Sequence, residues 1–285
     1  MSGAAVTRGG TDVGMTRVVH LYRQARADIV ALRGVDLDVD SGEMVALLGP
    51  SGMGKTTVLR LMAGVMTASA GMVTVGSRDL GRLSTMERRT LRATEISYLV
   101  QGVASNLLSY ATPLENVWYA QHGARIQGHT PPWGPEEVLD LLELPDVGGT
   151  QVARLSLGLQ QQVAIAACLS PGPRLLLADE PTAQLTPAAA GEVIGLLQRV
   201  NQELGTTVVI VTHDPAVAVR FPRTVTIRDG RVGAEGQRGE EYAVVDSSGS
   251  VQLPPDVLSL LPPNTRVRVV RRSDGVELHR PEGDA

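Results

Sequence analysis

The chain has 285 residues, 43% of them apolar and only 3% aromatic, with a formal net charge of −4. That length fits one large domain plus a smaller one, or two modest domains, and the negative balance excludes nucleic acid or anionic lipid as a bulk electrostatic partner. A single cysteine, Cys168, lies within the apolar stretch 163–169; it excludes an internal disulfide and reads as a buried, inert thiol rather than a nucleophile.

Residues 1–16 are rich in Gly, Ala and Thr and are expected to be disordered. They contain no apolar core of the kind a signal peptide carries, and no window in the chain approaches the length of a membrane helix. A cytosolic chain is expected, with any membrane role supplied by a partner. From Arg17 to Val39 the pattern is that of strands. Val35, Leu37 and Val39 share one face, and Asp36 and Asp38 lie on the other.

A mostly apolar run of strand length, residues 43–48, leads into Gly49-Pro50-Ser51-Gly52-Met53-Gly54-Lys55-Thr56-Thr57. Residues 58–63 are helix formers, and Gly64 stops them. The pattern G-x-x-x-x-G-K-[ST] is short enough to arise by chance as a glycine-rich turn, so its setting decides. Strand, glycine loop and helix aim consecutive backbone N–H groups and a helix N-terminus at a phosphate chain. Lys55 is placed to reach β- and γ-phosphates, and the Thr56 hydroxyl to ligate Mg²⁺. This segment reads as a nucleoside triphosphate loop.

Further along, residues 71–75 read as a strand, and Ser84 with Glu87 forms a capping box opening a helix through Arg92. Residues 96–100 form a strand ending at Gln101. A mostly helical stretch with Pro and Gly breaks covers 102–150, and 155–169 is a second helix candidate. The apolar runs 175–178 and 207–211 are strands separated by a helix. Alternating, apolar strands and helices indicate a parallel sheet covered on both faces.

The strand at 175–178 ends in Asp179-Glu180, at the edge where parallel sheets bind ligands. Asp179 is placed to organise Mg²⁺ through its water shell and Glu180 to polarise an attacking water. Taken alone, the pair reads equally as helix-capping or turn residues.

The order of motifs adds what each lacks alone. Gln101 ends a strand between loop and carboxylates, Leu155-Ser156-Leu157-Gly158-Leu159-Gln160-Gln161-Gln162 precedes the carboxylate strand, and Thr212-His213-Asp214 ends the next one. With these residues the chain resembles an ATP-binding cassette (ABC) ATPase over roughly residues 17–236. The resemblance implies an α/β P-loop fold with a mostly parallel core sheet, an antiparallel β subdomain and a helical subdomain at about 102–170. It implies ATP and Mg²⁺ as cofactors. Gln101 is implied to link Mg²⁺ and water to the transporter interface, and His213 to act as the γ-phosphate switch. Tyr22, which alone reads as a packing residue, is implied to stack on adenine. Ser156 and Gly158 are implied to complete the ATP site of a second chain in a head-to-tail homodimer or heterodimer. Ala31-Leu32-Arg33-Gly34-Val35-Asp36-Leu37, Leu83-Ser84 with Leu91-Arg92, and Leu114-Glu115-Asn116-Val117 resemble the lipoprotein, macrolide and antimicrobial-peptide exporter branch and the division-associated branch beside it. An integral membrane permease subunit is then the implied partner, at the cytoplasmic face of the membrane.

The chain departs from the family's L-S-G-G-Q signature and following Q-Q-R, with Leu157, Leu159 and Gln162 where Gly, Gln and Arg are expected, and it carries Thr186 in place of an aspartate. Leu157 adds bulk where a glycine allows close backbone approach. ATP binding is therefore expected to be intact and turnover slow or partner-dependent. Five of the eight aromatics, Tyr98, Tyr110, Trp118, Tyr119 and Trp133, fall in the region that the resemblance assigns to a groove for the membrane subunit, although they read equally as subdomain core.

Residues 239–285 are expected to form a small β-rich domain. Strand segments at 242–246, 251–254, 267–270 and 276–278 are joined by turns at 247–249 and 273–275, with a short helix at 256–261. The arrangement resembles the AbrB/SpoVT swapped hairpin. That family binds DNA, but five Arg against eight Asp and Glu here favour a dimerisation or docking module, with no nucleic acid partner. The alternative function is a soluble ABC ATPase or a nucleotide-dependent regulator acting through this tail.

Overall fold

The computed structural model describes residues 9–23, 28–144, 149–237, 240–245, 249–251, 253, 255–262, 265–273 and 275–280. In chain order, β1 (Val13–Tyr22) and β2 (Ile29–Val39) pair antiparallel, and β3 (Met44–Leu48) leads into α1 (Lys55–Met62). β4 (Ala70–Val75) and β5 (Arg78–Asp79) extend the free edge of β1 into a four-stranded sheet. α2 (Thr85–Thr94), β6 (Ile96–Leu99), α3 (Pro113–Ile126), α4 (Pro135–Leu141) and α5 (Leu157–Leu169) follow, then β7 (Leu175–Asp179), α6 (Pro187–Leu204), β8 (Thr207–Thr212) and α7 (Pro215–Ala218). β9 (Arg223–Arg228), β10 (Arg231–Gln237), β11 (Glu240–Ala243), α8 (Pro255–Leu260), β12 (Arg268–Arg271) and β13 (Val276–His279) complete the chain.

The main sheet has the order β11-β10-β9-β3-β8-β7-β6, parallel from β9 to β6 and antiparallel at β10 and β11. Its continuous apolar strands serve two cores at once. Leu176 and Ala178 of β7 join Val208 and Ile210 of β8 beneath α5 and α6. Leu175, Leu177, Val209 and Val211 face the opposite way, against α1 and the antiparallel sheet. Polarity alternates only where one face meets water, so these strands carry no polar face.

Local signals start the helices where the chain needs them. Ser84 and Glu87 satisfy each other's backbone donors at the head of α2, and Thr112 and Glu115 do the same for α3, whose first residue is Pro113. Gly64, in the left-handed region at φ +61°, follows α1.

The N-terminus corrects the expectation of disorder through residue 16. β1 begins at Val13, and residues 9–12 are held at the end of the main sheet where β7 and β8 begin. The Arg174 guanidinium donates to the carbonyls of Gly9 (3.3 Å) and Gly10 (2.7 Å), and the Thr11 N–H donates to the Arg174 carbonyl at 3.3 Å. The buried Thr207 hydroxyl donates to the Thr11 carbonyl at 2.8 Å and accepts from the Gly42 N–H at 2.9 Å. Low hydrophobicity misleads here, because this segment is held by backbone hydrogen bonds and not by apolar burial. Residues 1–8 lie outside the described residues.

The chain after 239 begins as an edge strand of the main sheet, because β11 pairs with β10 and Val244 packs against the core. Val245 and Val251 form an isolated bridge, and the turn expected between them lies largely outside the described residues. β12 and β13 form a separate antiparallel hairpin, with Arg268 opposite His279 and Arg271 opposite Val276. No helix among the described residues is long and apolar enough to cross a membrane.

Thr207→Val keeps the volume of the Thr207 side chain but strands the Gly42 N–H and the Thr11 carbonyl. We expect a loss of about 1–3 kcal/mol in denaturant unfolding. A stability equal to the parent's would mean that the Thr207 hydrogen bonds contribute nothing to the fold.

Candidate functional site

The glycine loop leaves β3 at the C-terminal edge of the parallel sheet. A side-chain carbon at Gly49 would collide with the Ile227 carbonyl of neighbouring β9, so only glycine lets the loop turn there. Gly54 caps α1 at φ +93°, where a Cβ would stand 2.7 Å from the Ala31 carbonyl. Lys55 then opens the helix, buried, with Nζ donating to the carbonyls of Gly49 (2.6 Å) and Pro50 (2.8 Å). Burial lowers its pKa below the ordinary lysine value, and the charges of Glu180 and Asp179 oppose that shift.

Two carboxylates end β7. Asp179 is 3% exposed, and its Oδ1 accepts from the Thr56 hydroxyl at 3.2 Å. Burial pushes its pKa above the usual carboxylate range, against the Thr56 hydrogen bond. Glu180 adopts φ +50°, a conformation that costs free energy for any residue with a Cβ. Its N–H donates to the Val211 carbonyl at 2.9 Å, and its Oε1 lies 2.9 Å from His213 Nδ1. An ionised carboxylate only accepts, so Nδ1 carries the proton in that pair.

These elements surround an open cleft of about 420 Å³. Ser51, Gly52, Gly54, Lys55, Thr56 and Thr57 form its floor, and Gln101, Glu180, Val211 and His213 form one rim. Tyr22, Ile29, Val30 and Ala31 form the other rim. The Tyr22 hydroxyl lies 3.1 Å from Thr57 Oγ1 and donates to Met66 Sδ at 3.6 Å, which anchors the ring against the loop. The Met53 side chain turns away from the cleft, its sulfur accepting from the Asp229 N–H at 3.4 Å.

Ser156 and Gly158 are not brought to this cleft. Ser156 caps α5 by accepting from the Leu159 N–H at 3.3 Å, and Gly158 is buried against Ala189 of α6. Leu157 between them is 39% exposed. Thr186 caps α6, accepting from the Ala189 N–H, and Gln162 donates to Glu192 at 2.9 Å. Cys168 packs against the core, and burial pushes its thiol up to about 12, which keeps it unreactive.

The five aromatics expected at a membrane-facing groove divide. Tyr110, Trp118 and Tyr119 are exposed and Trp133 packs against the core, while Tyr98 turns its hydroxyl to Asp179. The sequence reading missed Tyr98 at the carboxylate and the rim residues Ile29, Val30 and Ala31. Their closeness in sequence to Gln101 and Tyr22 is the only signal that points to them.

Because the native pKa of Asp179 lies above its unfolded value, the folded chain binds more protons between the two. Stability therefore falls as pH rises through that window and stays lowered at neutral pH. Asp179→Asn removes the buried charge, so the nucleotide-free variant should melt above the parent at neutral pH. The gap should close as pH drops to about 4. A variant melting at or below the parent at neutral pH would contradict the burial cost.

Residues 32–183 match the family model described as ABC transporter. The lipoprotein-releasing system ATP-binding protein LolD of Anaeromyxobacter dehalogenans is 41% identical over 208 residues, 72% of this chain and 85% of that protein. The macrolide export ATP-binding/permease protein MacB of Syntrophobacter fumaroxidans is 36% identical over 241 residues, 82% of this chain; the chain spans 33% of the length of that relative. The fold is similar to an ATP-binding cassette solved as a dimer in a post-hydrolysis state bound to ADP and Pi. The TM-score is 0.69 at 31% identity, covering 79% of this chain and 98% of that one. With a family model across more than half its length and a relative of comparable size at 41% identity, the chain belongs to the ABC transporter family, as an ATP-binding ATPase cassette similar to those of LolD and MacB.

Proposed function

We propose that the chain binds ATP with Mg²⁺ in the cleft and hydrolyses it when two cassettes close head to tail. In this reading it is the ATPase subunit of an exporter-like or mechanotransmitting transporter, seated at the cytoplasmic face of the membrane on a separate permease. The observation that carries the reading is the Glu180–His213 pair, held 2.9 Å apart beside the glycine loop by a left-handed backbone at Glu180. Strain of that kind persists where it positions a side chain for chemistry.

Oxygen donors suit a hard divalent cation, and the Thr56 hydroxyl beside the Asp179 carboxylate is such a pair. Those two residues, with Gln101 at the rim, would hold Mg²⁺, which supplies charge neutralisation on the β- and γ-phosphates. Lys55 exchanges the carbonyls of Gly49 and Pro50 for phosphate oxygens. The backbone N–H groups of residues 51–57 receive the rest of the phosphate chain. Tyr22 offers its anchored ring to the base. Glu180 accepts the proton of the attacking water, and His213 holds that carboxylate and contacts the γ-phosphate.

Two features support a composite site. Ser156, Leu157 and Gly158 stand outside the chain's own cleft, and the similar cassette above is a dimer. The exposed Tyr110, Trp118 and Tyr119 fit a docking surface for a permease. The tail fits a docking or dimerisation module of AbrB/SpoVT-like form. Its hairpin leaves Val269 63% and Val276 61% exposed, and isolated two-stranded hairpins are marginal in water.

Glu180→Gln should keep nucleotide affinity and lower turnover by about 10²–10⁴-fold, since an amide cannot take the water's proton. Lys55→Ala should weaken binding itself. Parent-level hydrolysis by Glu180→Gln would remove Glu180 as the base.

Leu157→Gly tests the altered signature. If the leucine obstructs closure on a partner's nucleotide, turnover should rise in the assembled complex and stay unchanged in isolated monomer. Equal or lower turnover in the complex would show that the bulk is accommodated.

A further inference from the structure

Asp179 is held from both sides. Its Oδ1 meets the Thr56 hydroxyl at 3.2 Å, and its Oδ2 accepts from the Tyr98 hydroxyl at 3.4 Å. With 3% of Asp179 exposed, water has little access to compete for either oxygen. Tyr98 stands on β6, paired with β7 so that Tyr98 lies opposite Leu177, and three residues ahead of Gln101. Tyr98 belongs to neither the glycine loop, the carboxylate pair nor the histidine, yet it holds one oxygen of the buried carboxylate.

The terminal torsion of an aspartate is broad and two-fold, so a carboxylate without a fixed partner exchanges its two oxygens. Only the oxygen beside Thr56 can serve a cation held there. We propose that Tyr98 is a positioning residue that occupies Oδ2 of Asp179 and so presents Oδ1 on the Thr56 side for Mg²⁺. The inference rests on the reading that Thr56 and Asp179 hold Mg²⁺. Partners that orient metal ligands typically change metal affinity by about 10–100-fold on removal, and a 3.4 Å contact, long for O–H···O, belongs at the low end.

Calorimetric titration of ATP into the purified full chain, once with Mg²⁺ and once with excess EDTA, gives the factor by which Mg²⁺ tightens binding. Tyr98→Phe keeps the ring and removes only the hydroxyl. It should cut that factor about tenfold while leaving the affinity in EDTA unchanged. A purely structural role would instead lower both affinities together. In the Asp179→Asn background, adding Tyr98→Phe should change nothing further, because the carboxylate it orients is gone. If Asp179→Asn itself leaves the Mg²⁺ factor intact, the cation reading fails and the inference falls with it. If Asp179→Asn lowers the factor but Tyr98→Phe does not, or does so equally in both backgrounds, the cation reading stands and the positioning role is wrong.

Discussion

Within the main sheet, β8 lies between β3 and β7 in parallel register, with Leu48 opposite Thr212 and Asp179 opposite Val211. That register makes three strands end at one level. The glycine loop, Glu180 and His213 therefore leave the sheet side by side, although Thr56 lies 123 residues from Asp179 and Glu180 lies 33 from His213. It is enforced from both faces, because Leu175 and Leu177 fill one core while Leu176 and Ala178 fill the other. A slip of one residue would exchange the two faces and drive the carboxylate of Asp179 into apolar packing. The chemistry at the edge is specified by hydrophobic volumes several ångströms below it.

The same edge holds a buried ammonium and a buried carboxylate that do not pair directly. Lys55 is satisfied by loop carbonyls and Asp179 by hydroxyls, and burial works against the charged form of each. Neutral partners offset desolvation less well than a counter-ion does. The nucleotide-free site is thus a local cost carried by the two cores. In the proposed reading, a polyanionic ligand with its cation would supply what each group lacks, which would couple ligand binding to stability.

Much of this was legible in the sequence, and the exceptions have physical causes. The capping box at Ser84 and Glu87, the strand at 207–211 and the helix after the glycine loop follow from local rules, and they form where those rules place them. Of the residues proposed for the phosphate end, Ser51, Gly52, Gly54, Lys55, Thr56, Thr57, Gln101, Glu180 and His213 line one cleft, while Gly49, Pro50, Met53 and Asp179 are not among its lining. Tyr98 was not readable as a neighbour of Asp179. Alternation tells which face of β6 a side chain takes, but only the pairing of β6 with β7 brings Tyr98 to a carboxylate 81 positions away. The N-terminal segment was misjudged for a related reason. Its partners, Arg174 and Thr207, are distant in sequence and donate side-chain hydrogen bonds to its backbone carbonyls, which composition does not report.

The signature segment and Thr186, retained and altered residues alike, look different once the local work of each residue is considered. Ser156 and Thr186 both serve as helix caps, so α5 and α6 start where they should. Gln162 reaches Glu192 across the contact between these helices, keeping a hydrogen bond without a second charge. Gly158 allows the helices to approach at Ala189. All four residues have a structural task inside the monomer. Leu157 differs, because it opens α5 with its side chain partly in water, where leucine gains little from the fold. The energetic consequence of that leucine arises only when another surface covers it, so the departure belongs to an interface and not to the cassette's own stability.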